Sequence, residues 1–462
     1  MEEKLNGKKI FLYGGIIVAL IAVLAIIIVA YSSNGTSNSN TTHISASSTN
    51  STISSASEIS TEYTGTNYSS TTDISSTEVV SITNGGSYDL TGSYSQIVIN
   101  TTKDVELNLN NVEITSTSGP AINVIEAGTV SIVLTGTNKI SATTTEDLDG
   151  AIYSKADLVF SGTGSLEVKS NYDGIVSKDT LVIKSGTYII NATDDGIRGK
   201  DCVAIVDGTF TITAGGDGIK STNDEDSEKG YIAIDGGTFN ITSNNDGIEA
   251  LTELAIKGGN FTIKTTSTSS EDSAKAIKAG TLIEINGGTF NINATDDGIH
   301  SNGNITLNNG EYTITSKDDA IHADGLAEIN GGTYTISAAE GIEATYVKIN
   351  DGTINISASD DGINAGNKSS NYSVTVEING GNITIKMGSG DTDGIDANGS
   401  IYVNGGTINI TGNSPFDYDG KAEYNGGTLI VNGTQTNTIT NQMMGGGMNG
   451  GMQQGGGMQR MH

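Results

Sequence analysis

An acidic residue followed by glycine and isoleucine recurs along most of this chain. Asp195-Gly-Ile and Asp217-Gly-Ile are successive copies 22 residues apart, and a second aspartate precedes the acid in several copies. Carboxylates repeated at a fixed interval are candidate ligands for cations, because a regular fold would bring them together. The candidate metal ligands are Asp173, Asp194, Asp195, Asp217, Asp246, Asp296, Asp297, Asp318, Asp319, Asp360, Asp361 and Asp393.

The spacing between these acids decides their chemistry. If each repeat forms one turn of a coil, equivalent acids lie about 4.8 Å apart in neighbouring parallel strands. Two negative charges at that distance repel by about 3.5 kcal/mol at an effective dielectric constant of 20, and by about 1 kcal/mol in water. A column of ionised acids therefore requires protonation or a bound cation. Oxygen ligands at flexible spacing favour Ca²⁺. The alternative is that the aspartates only shape turns by accepting hydrogen bonds from backbone amides.

The residue after each isoleucine differs from repeat to repeat, and we predict that it faces solvent. These residues would form a lengthwise polar strip beside the acids, which suits contact with an extended polymer. Ordinary solvated surface is the alternative. His300 and His322 fall on adjacent repeats and are also candidate ligands for a metal. The candidate substrate-binding residues are Arg198, Lys220, Glu249, His300, His322, Glu343, Asn364 and Asp396.

Short strands must position these residues. Between Asp195 and Asp217 lie two β-type runs, separated by a turn at Asp207-Gly208. A second signature, Gly-Gly-Thr-aromatic-x-Ile, recurs at a similar interval, for example at Gly236. About 22 residues per repeat, with three short strands, predict an all-β fold, a right-handed parallel β-helix, over residues 79–433. The aromatic rings at one position of successive repeats are expected to stack inside the coil.

The remaining segments differ in composition. Phe11–Tyr31 is long and apolar enough to span a bilayer as a helix. Three lysines precede it, so we predict that residues 1–10 are cytoplasmic and that the rest lies on the extracellular face of the membrane. A cleaved signal peptide, giving a secreted protein, is the alternative. Residues 32–78, rich in Ser, Thr and Asn, predict a flexible stalk. Residues 434–462, rich in Gly, Met and Gln, predict a disordered tail.

Composition also limits the partners. The net charge of −30 argues against nucleic acid and against anionic membrane surfaces, and favours cations. The membrane is therefore expected as a partner only through the N-terminal helix. Cys202 is the single cysteine, so no internal disulfide can form. We expect a monomer.

The repeats resemble a known family. The Asp-Asp-Gly-Ile and Gly-Gly-Thr-Phe-x-Ile signatures, the opening stretch from Leu90 to Ile114 and the Gly/Met/Gln-rich tail are similar to those of secreted carbohydrate-binding β-helix proteins of bacteria and archaea. A clostridial cellulose- and polygalacturonate-binding domain typifies that family. The resemblance covers about residues 79–431. It implies a pectate-lyase-like fold that carries calcium, with the Asp-Asp-Gly-Ile positions as ligands, and a non-catalytic binder of polysaccharide.

Three functions are weighed on this basis. The first is a calcium-dependent, surface-anchored binding protein for a polysaccharide, either acidic (uronate-containing) or cellulose. The absence of Trp excludes a tryptophan platform for crystalline cellulose and favours acidic sugars. The second is a calcium-dependent, pectate-type lyase, in which Arg198 and Lys220 are the residues to consider as catalytic proton acceptors. The third is a structural stalk or adhesin.

Overall fold

Short strands make up almost all regular structure in residues 53–65, 68–74, 78–268, 273–389 and 392–442, the ranges that the computed structural model describes. The prediction of an all-β fold is confirmed for these ranges. The helix is α1 (Ala56–Glu62), and the strands are β1 (Thr71–Ile74), β2 (Val79–Ile82), β3 (Gly86–Tyr94), β4 (Gln96–Asn100), β5 (Val105–Ser116), β6 (Ile122–Glu126), β7 (Thr129–Thr135), β8 (Thr137–Ala142), β9 (Gly150–Ser154), β10 (Asp157–Gly162), β11 (Ser165–Ser170), β12 (Asp173–Ser177), β13 (Thr180–Ile183), β14 (Thr187–Ala192), β15 (Ile197–Gly199), β16 (Cys202–Ile205), β17 (Thr209–Ala214), β18 (Ile219–Ser221), β19 (Tyr231–Ile234), β20 (Thr238–Ser243), β21 (Ile248–Ala250), β22 (Glu253–Ile256), β23 (Asn260–Thr265), β24 (Ile277–Ala279), β25 (Leu282–Ile285), β26 (Thr289–Asn293), β27 (Ile299–Ser301), β28 (Asn304–Leu307), β29 (Glu311–Thr315), β30 (Ile321–Ile329), β31 (Thr333–Ala338), β32 (Ile342–Ile349), β33 (Thr353–Ala358), β34 (Ile363–Ala365), β35 (Thr375–Ile378), β36 (Asn382–Met387), β37 (Asp393–Ala397), β38 (Ser400–Val403), β39 (Thr407–Thr411), β40 (Ser414–Tyr418), β41 (Ala422–Tyr424), β42 (Thr428–Val431) and β43 (Thr434–Thr436).

Parallel pairing between strands three places apart generates the architecture. β12 pairs with β15 and β15 with β18, and Ile197 lies opposite Ile219. The chain therefore completes one turn of a coil with every three strands, and the strands form three columns. The acid column contains β9, β12, β15, β18, β21, β24, β27, β34, β37 and β40; the middle column contains β10, β13, β16, β19, β22, β25, β28, β35, β38 and β41; the ring column contains β8, β11, β14, β17, β20, β23, β26, β29, β31, β33, β36, β39 and β42. The long strands β30 and β32 pair in both the acid and the middle columns.

The predicted ring stack is confirmed. Adjacent ring centroids in the run from Tyr188 to Tyr334 lie 4.6 to 5.0 Å apart with nearly parallel planes. All of these rings are buried. Strand register places each ring directly above the next, so the stack fills the interior beside the ring column. Its members are Tyr188, Phe210, Phe239, Phe261, Phe290, Tyr312 and Tyr334.

Two glycine positions explain the repeated signatures. A Cβ on Gly196 would lie 2.5 Å from the carbonyl oxygen of Gly218 on the next turn, so close approach between turns favours glycine at this acid-Gly-Ile corner. Gly237, the second glycine of a Gly-Gly-Thr-Phe turn, has a φ of 116°, which favours glycine.

Part of the predicted stalk has regular structure. Ser55 caps α1, and the helix packs Ala56 and Ile59 onto outward-facing Val182 and Ala204 of the middle column. Asp235 accepts hydrogen bonds from the backbone N–H groups at the start of the helix. β1 also lies in the predicted stalk, and it pairs with β3. The flexible stretch predicted for residues 32–78 therefore does not extend through α1 and β1.

The two chain ends differ from the prediction to different degrees. β43, inside the predicted disordered tail, pairs antiparallel with β42, and the described chain continues to residue 442. Within the described ranges, no helix is long and apolar enough to cross a membrane. The predicted membrane span Phe11–Tyr31 and the Met-rich part of the tail from Met443 onward lie outside the described residues.

Candidate functional site

The repeated acids form a hydrogen-bonded ladder at the corner where each ring-column strand leads into the acid column. Asp173 Oδ1 accepts the backbone N–H of Asp195 at 3.0 Å, and Asp195 Oδ1 accepts that of Asp217 at 2.8 Å. The same contact recurs from Asp217 to Asp246 and from Asp297 to Asp319. These aspartates therefore have the structural role that the sequence left open, with the donor supplied by the next turn.

In Asp173 and Asp217, the second carboxylate oxygen contacts a positive charge from the chain itself. The Arg198 guanidinium contacts Asp149 and Asp173, the latter at 2.5 Å. Lys220 contacts Asp217 and also Glu249, at 2.9 Å. The residues predicted to form an outward polar strip thus turn back onto the acids. Internal cations partly neutralise the column in these turns.

Burial sets the protonation of these groups. It raises the pKa of Asp173 to about 7, although the Arg198 charge acts in the opposite direction. Burial would lower the pKa of Arg198, but the charges of Asp173 and Asp149 raise it overall. The pKa of Lys220 is raised in the same way, against its burial, by Asp217 and Asp195. Arg198 and Lys220 hold their protons firmly, which makes both poor proton acceptors for a lyase.

On two turns after that of Lys278, histidines occupy the strip position in place of lysine or arginine. His300 Nδ1 lies 2.7 Å from Asp297 Oδ2. His322 Nδ1 lies 2.6 Å from Asp319 and 2.9 Å from Glu343. His322 and Glu343 are 9% and 6% exposed, so the prediction that they face solvent is wrong for these two residues.

The strip carries no positive side chain on the last turns. Asn364 donates hydrogen bonds to Glu340 at 3.0 Å and to Glu343 at 3.2 Å. Burial raises the pKa of Asp361 to about 7 and, together with the charge of Asp393, that of Asp396 to about 6. Asp361 and Asp396 therefore take up protons more readily than ordinary aspartates do.

Some predicted ligands converge and others do not. Groups whose ligand atoms lie within 4.8 Å of one another are Asp173–Asp194–Asp195, Asp296–Asp297–Asp318, Asp217–Asp246–Glu249, Asp297–His300–His322 and Asp319–His322–Glu343. Oxygens on opposite sides of a Ca²⁺ ion are about 5 Å apart, so the all-carboxylate groups match the size of this ion. Within the described ranges, Asp360, Asp361 and Asp393 join no such group.

Sequence reasoning missed the partners of the acids. Lys275 Nζ lies 2.6 Å from Asp296, and Lys278 lies 2.7 Å from Glu249 and 3.1 Å from Asp246. The signal was present, because a base three residues after the acid recurs in the repeats, as Lys220 does after Asp217. Long side chains at this spacing reach the acid of their own turn, as Lys220 does, or that of a neighbouring turn, as Lys278 does with Asp246.

A second surface was also missed. The outward residues of the ring column alternate with the buried ring and isoleucine positions, and the register aligns them across turns. We call the outward residues of β17, β20, β23, β26, β29, β31, β33, β36 and β39 the Thr/Asn face. Its central row, exposed or half-exposed throughout, is Thr211, Asn240, Thr262, Asn291, Thr313, Thr335, Asn355, Thr384 and Asn409.

Comparison with known proteins identifies the family. The family model described as "Carbohydrate-binding domain-containing protein" matches residues 76–320 and 315–450, and the first match alone covers more than half of the chain. The search of curated proteins found no match. A solved structure of a polysaccharide lyase-like protein from C. thermocellum, a gadolinium derivative, is 27% identical over 50% of this chain and 87% of that one, with a TM-score of 0.39. The chain belongs to the family of carbohydrate-binding domain-containing proteins.

Proposed function

We propose that this protein binds polysaccharide without cleaving it, and that the polymer lies along the Thr/Asn face. The central row of this face contains only hydroxyl and amide side chains on nine successive turns. Eight steps of about 4.8 Å give a row about 38 Å long, which suits an extended polymer. Regularly spaced donors and acceptors complement the hydroxyl groups of a sugar chain. This row is the observation that carries the proposal, and membership of the family supports it.

The charge of this face favours an acidic polymer. Each of its nine strands contributes three outward positions, and only Glu311, Lys264 and Lys386 among them are charged. A chain with a net charge of −30 thus presents one face that does not repel a polyanion. A uronate-containing polysaccharide is therefore the favoured ligand, with cellulose as the second candidate.

Calcium is proposed to bind at the edge of the same face. Asp296 follows the last residue of β26 by three positions, so the acid corner borders the Thr/Asn face. Asp173–Asp194–Asp195 and Asp296–Asp297–Asp318 supply the oxygen ligands that Ca²⁺ prefers. Calcium there would reduce the repulsion between turns and give uronate carboxylates a positive edge to approach. Arg198 and Lys275 compete for the same oxygens, which limits the affinity for the ion.

The setting we propose is the outer surface of the cell. The segment Phe11–Tyr31 would anchor the chain, and residues 79–433 would form a right-handed parallel β-helix displayed beyond it. A lyase is the less favoured function, because Arg198 and Lys220 are held as ion-paired cations. A structural stalk or adhesin without sugar specificity is the third.

Affinity electrophoresis in gels containing polygalacturonate, hydroxyethylcellulose or no polymer tests the proposal. The unaltered chain should be retarded by polygalacturonate, and EGTA should weaken the retardation. Asn291→Glu/Thr313→Glu, which puts two negative charges on the central row, should abolish it. The matched control is Ser227→Glu/Ser370→Glu, at two exposed loop residues away from the face.

The outcomes separate the candidate functions. Equal retardation of the two double variants would show that the Thr/Asn face is not the binding surface. Retardation that persists in EGTA would show that binding does not need calcium, and the Thr/Asn face would remain the proposed binding surface. If the chain releases unsaturated sugars from polygalacturonate, monitored by their ultraviolet absorbance, then it is a lyase. If no polymer retards the chain, the role as a structural stalk or adhesin would be favoured instead.

A further inference from the structure

Two imidazoles from adjacent turns lie face to face beside the acid ladder. His300 pairs with His322 in the strand register, and their ring centroids are 4.7 Å apart with planes at 23°. Both rings are held with Nδ1 toward the carboxylates, His300 toward Asp297 and His322 toward Asp319. Two nitrogen ligands and several carboxylate oxygens thus meet at one place.

The far side of each ring supports a role as a ligand. His300 Nε2 lies 2.9 Å from Asn302 Oδ1, and His322 Nε2 lies 3.4 Å from Asp324 Oδ1. Without a metal, Nδ1–H of each ring donates to a carboxylate, and a metal ion would take the place of that proton. The oxygen acceptor at Nε2 keeps the proton on the second nitrogen and fixes the orientation of the ring. Imidazoles that bind metals commonly have such an outer partner, which fixes the tautomer and the ring orientation. The same arrangement, two residues after each histidine, occurs on both turns.

We propose that Asp297, His300 and His322 form a binding site for a divalent transition metal such as Zn²⁺. One ligand atom from each residue lies within 4.8 Å of the other two. Zinc takes imidazole nitrogen at about 2.0–2.1 Å and carboxylate oxygen at about 2.0–2.2 Å, so small side-chain rotations close the site. Asp319 and Glu343 stand next to His322 and add negative charge. Three protein ligands leave room for a water or a ligand group.

This site differs in kind from the proposed calcium groups. On neighbouring turns the equivalent strip positions hold Lys278 and Glu343, which give an ammonium group and a carboxylate. Only the turns of His300 and His322, among the described residues of the strip, bring nitrogen atoms that can donate a lone pair to a metal. Nitrogen ligands favour zinc and similar ions over calcium. The inference does not depend on polysaccharide binding.

Isothermal titration of the metal-stripped full-length chain with ZnCl₂, in excess CaCl₂, tests the site. One equivalent of zinc should bind and calcium should not displace it. His300→Ala/His322→Ala should lose that equivalent, with affinity falling by more than about 100-fold. The matched control is His43→Ala/His462→Ala, which removes the other two histidines of the chain and should bind zinc as before.

A milder variant protects the test against misfolding. Asn302→Ala removes only the outer partner of His300 and should weaken zinc binding by about tenfold. With Co²⁺ as a probe, the unaltered chain should show the visible absorption of a nitrogen-containing site, and His300→Ala/His322→Ala should lack it. The proposal is overturned if the unaltered chain binds no zinc, if calcium displaces it, or if the His43/His462 variant loses the equivalent. Unchanged affinity in Asn302→Ala also contradicts the assigned geometry.

Discussion

Replacing Arg198 by glutamine tests whether internal cations neutralise the acid column. Arg198→Gln leaves Asp173, whose side chain is 2% exposed, without its positive partner. Removing one member of a buried pair typically costs about 3–5 kcal/mol. Asp173 already has a pKa raised to about 7 by burial, so it can take up a proton and soften the loss. Asp149 keeps Lys178 at 3.6 Å. We therefore expect the lower end, about 3 kcal/mol.

Amide hydrogen exchange suits this measurement, because stability in a coil of repeats is largely a sum over neighbouring turns. The backbone N–H of Asp195, donated to Asp173, reports the affected turns directly. A loss of about 3 kcal/mol raises its exchange rate by roughly 100-fold. The N–H of Asp319, donated to Asp297 several turns away, should exchange as before.

Calcium extends the same experiment. Without the guanidinium, Asp173, Asp194 and Asp195 are free to hold a divalent ion, and a ligand at 100 times its Kd stabilises by about 2.7 kcal/mol. Calcium should therefore slow the exchange more in Arg198→Gln than in the unaltered chain. The control is Lys169→Gln, which removes an exposed ion pair with Glu167 and should cost less than about 0.5 kcal/mol. Unchanged exchange at Asp195 in Arg198→Gln would refute the reasoning.

Three further perturbations address the core, the pH dependence and the docked helix. Phe239→Ala empties one position of the ring stack and should lower unfolding stability by about 3–5 kcal/mol, measured by denaturant titration; Phe239→Leu should lose less. Burial and the Glu343 charge raise the pKa of Glu340 from 4.5 to about 8, so the folded state retains a proton and stability falls as pH rises across that window. Glu340→Gln should therefore raise the denaturant midpoint more at pH 8 than at pH 5, and an equal gain at both would contradict this. Ile59→Ser should release α1 from the middle column, so that limited proteolysis cuts residues 53–65 sooner while the coil stays intact.

The coil could be predicted because several local signals agree with one another. The interval between Asp195 and Asp217 matches the observed register of Ile197 with Ile219. Thr209-Phe210-Thr211-Ile212 alternates as a half-buried strand does, and its ring lies in the stack. The acid-Gly-Ile corner needs a small residue for close approach between turns. Period, alternation and glycine placement all follow from backbone geometry, which repeats wherever the sequence repeats.

Helix α1 escaped prediction because its stability comes from distant residues. Its polar seven-residue sequence has little helical tendency alone, and Ala56 and Ile59 gain stability by packing on the middle column. The signal lay elsewhere, in Val182 and Ala204, which are apolar at positions that face outward from the coil. Strands that are apolar on both faces are typical of sheets covered on both sides. These apolar residues indicate a covered patch, but they do not identify the segment that covers it.

The acids were predicted to align, and they do, but their neutralisation was assigned to protonation or to an external ion, and the basic side chains of the chain itself were not considered. That reasoning treated the residue after each isoleucine as solvent-facing because its type varies. Part of the variation instead follows the charge of the column. Glu249 lies between Lys220 and Lys278 and contacts both, so bases flank this acid of the strip. Side-chain reach decides this pattern, and strand register alone does not show it.

A calcium site requires two conditions, and different turns of this coil meet each of them. Oxygen atoms must converge, as they do around Asp173 and Asp297, and no internal cation may already occupy them. Arg198 and Lys275 stand at the converging groups, whereas the last turns, near Asp361, lack both a base in the strip and a converging group. Calcium binding would therefore be weakened by the displacement of a base at the first kind of site and by the lack of ligands at the second. Calcium affinity in the unaltered chain should then be modest, and it should rise when a base is removed, which makes the response of Arg198→Gln to calcium the decisive comparison.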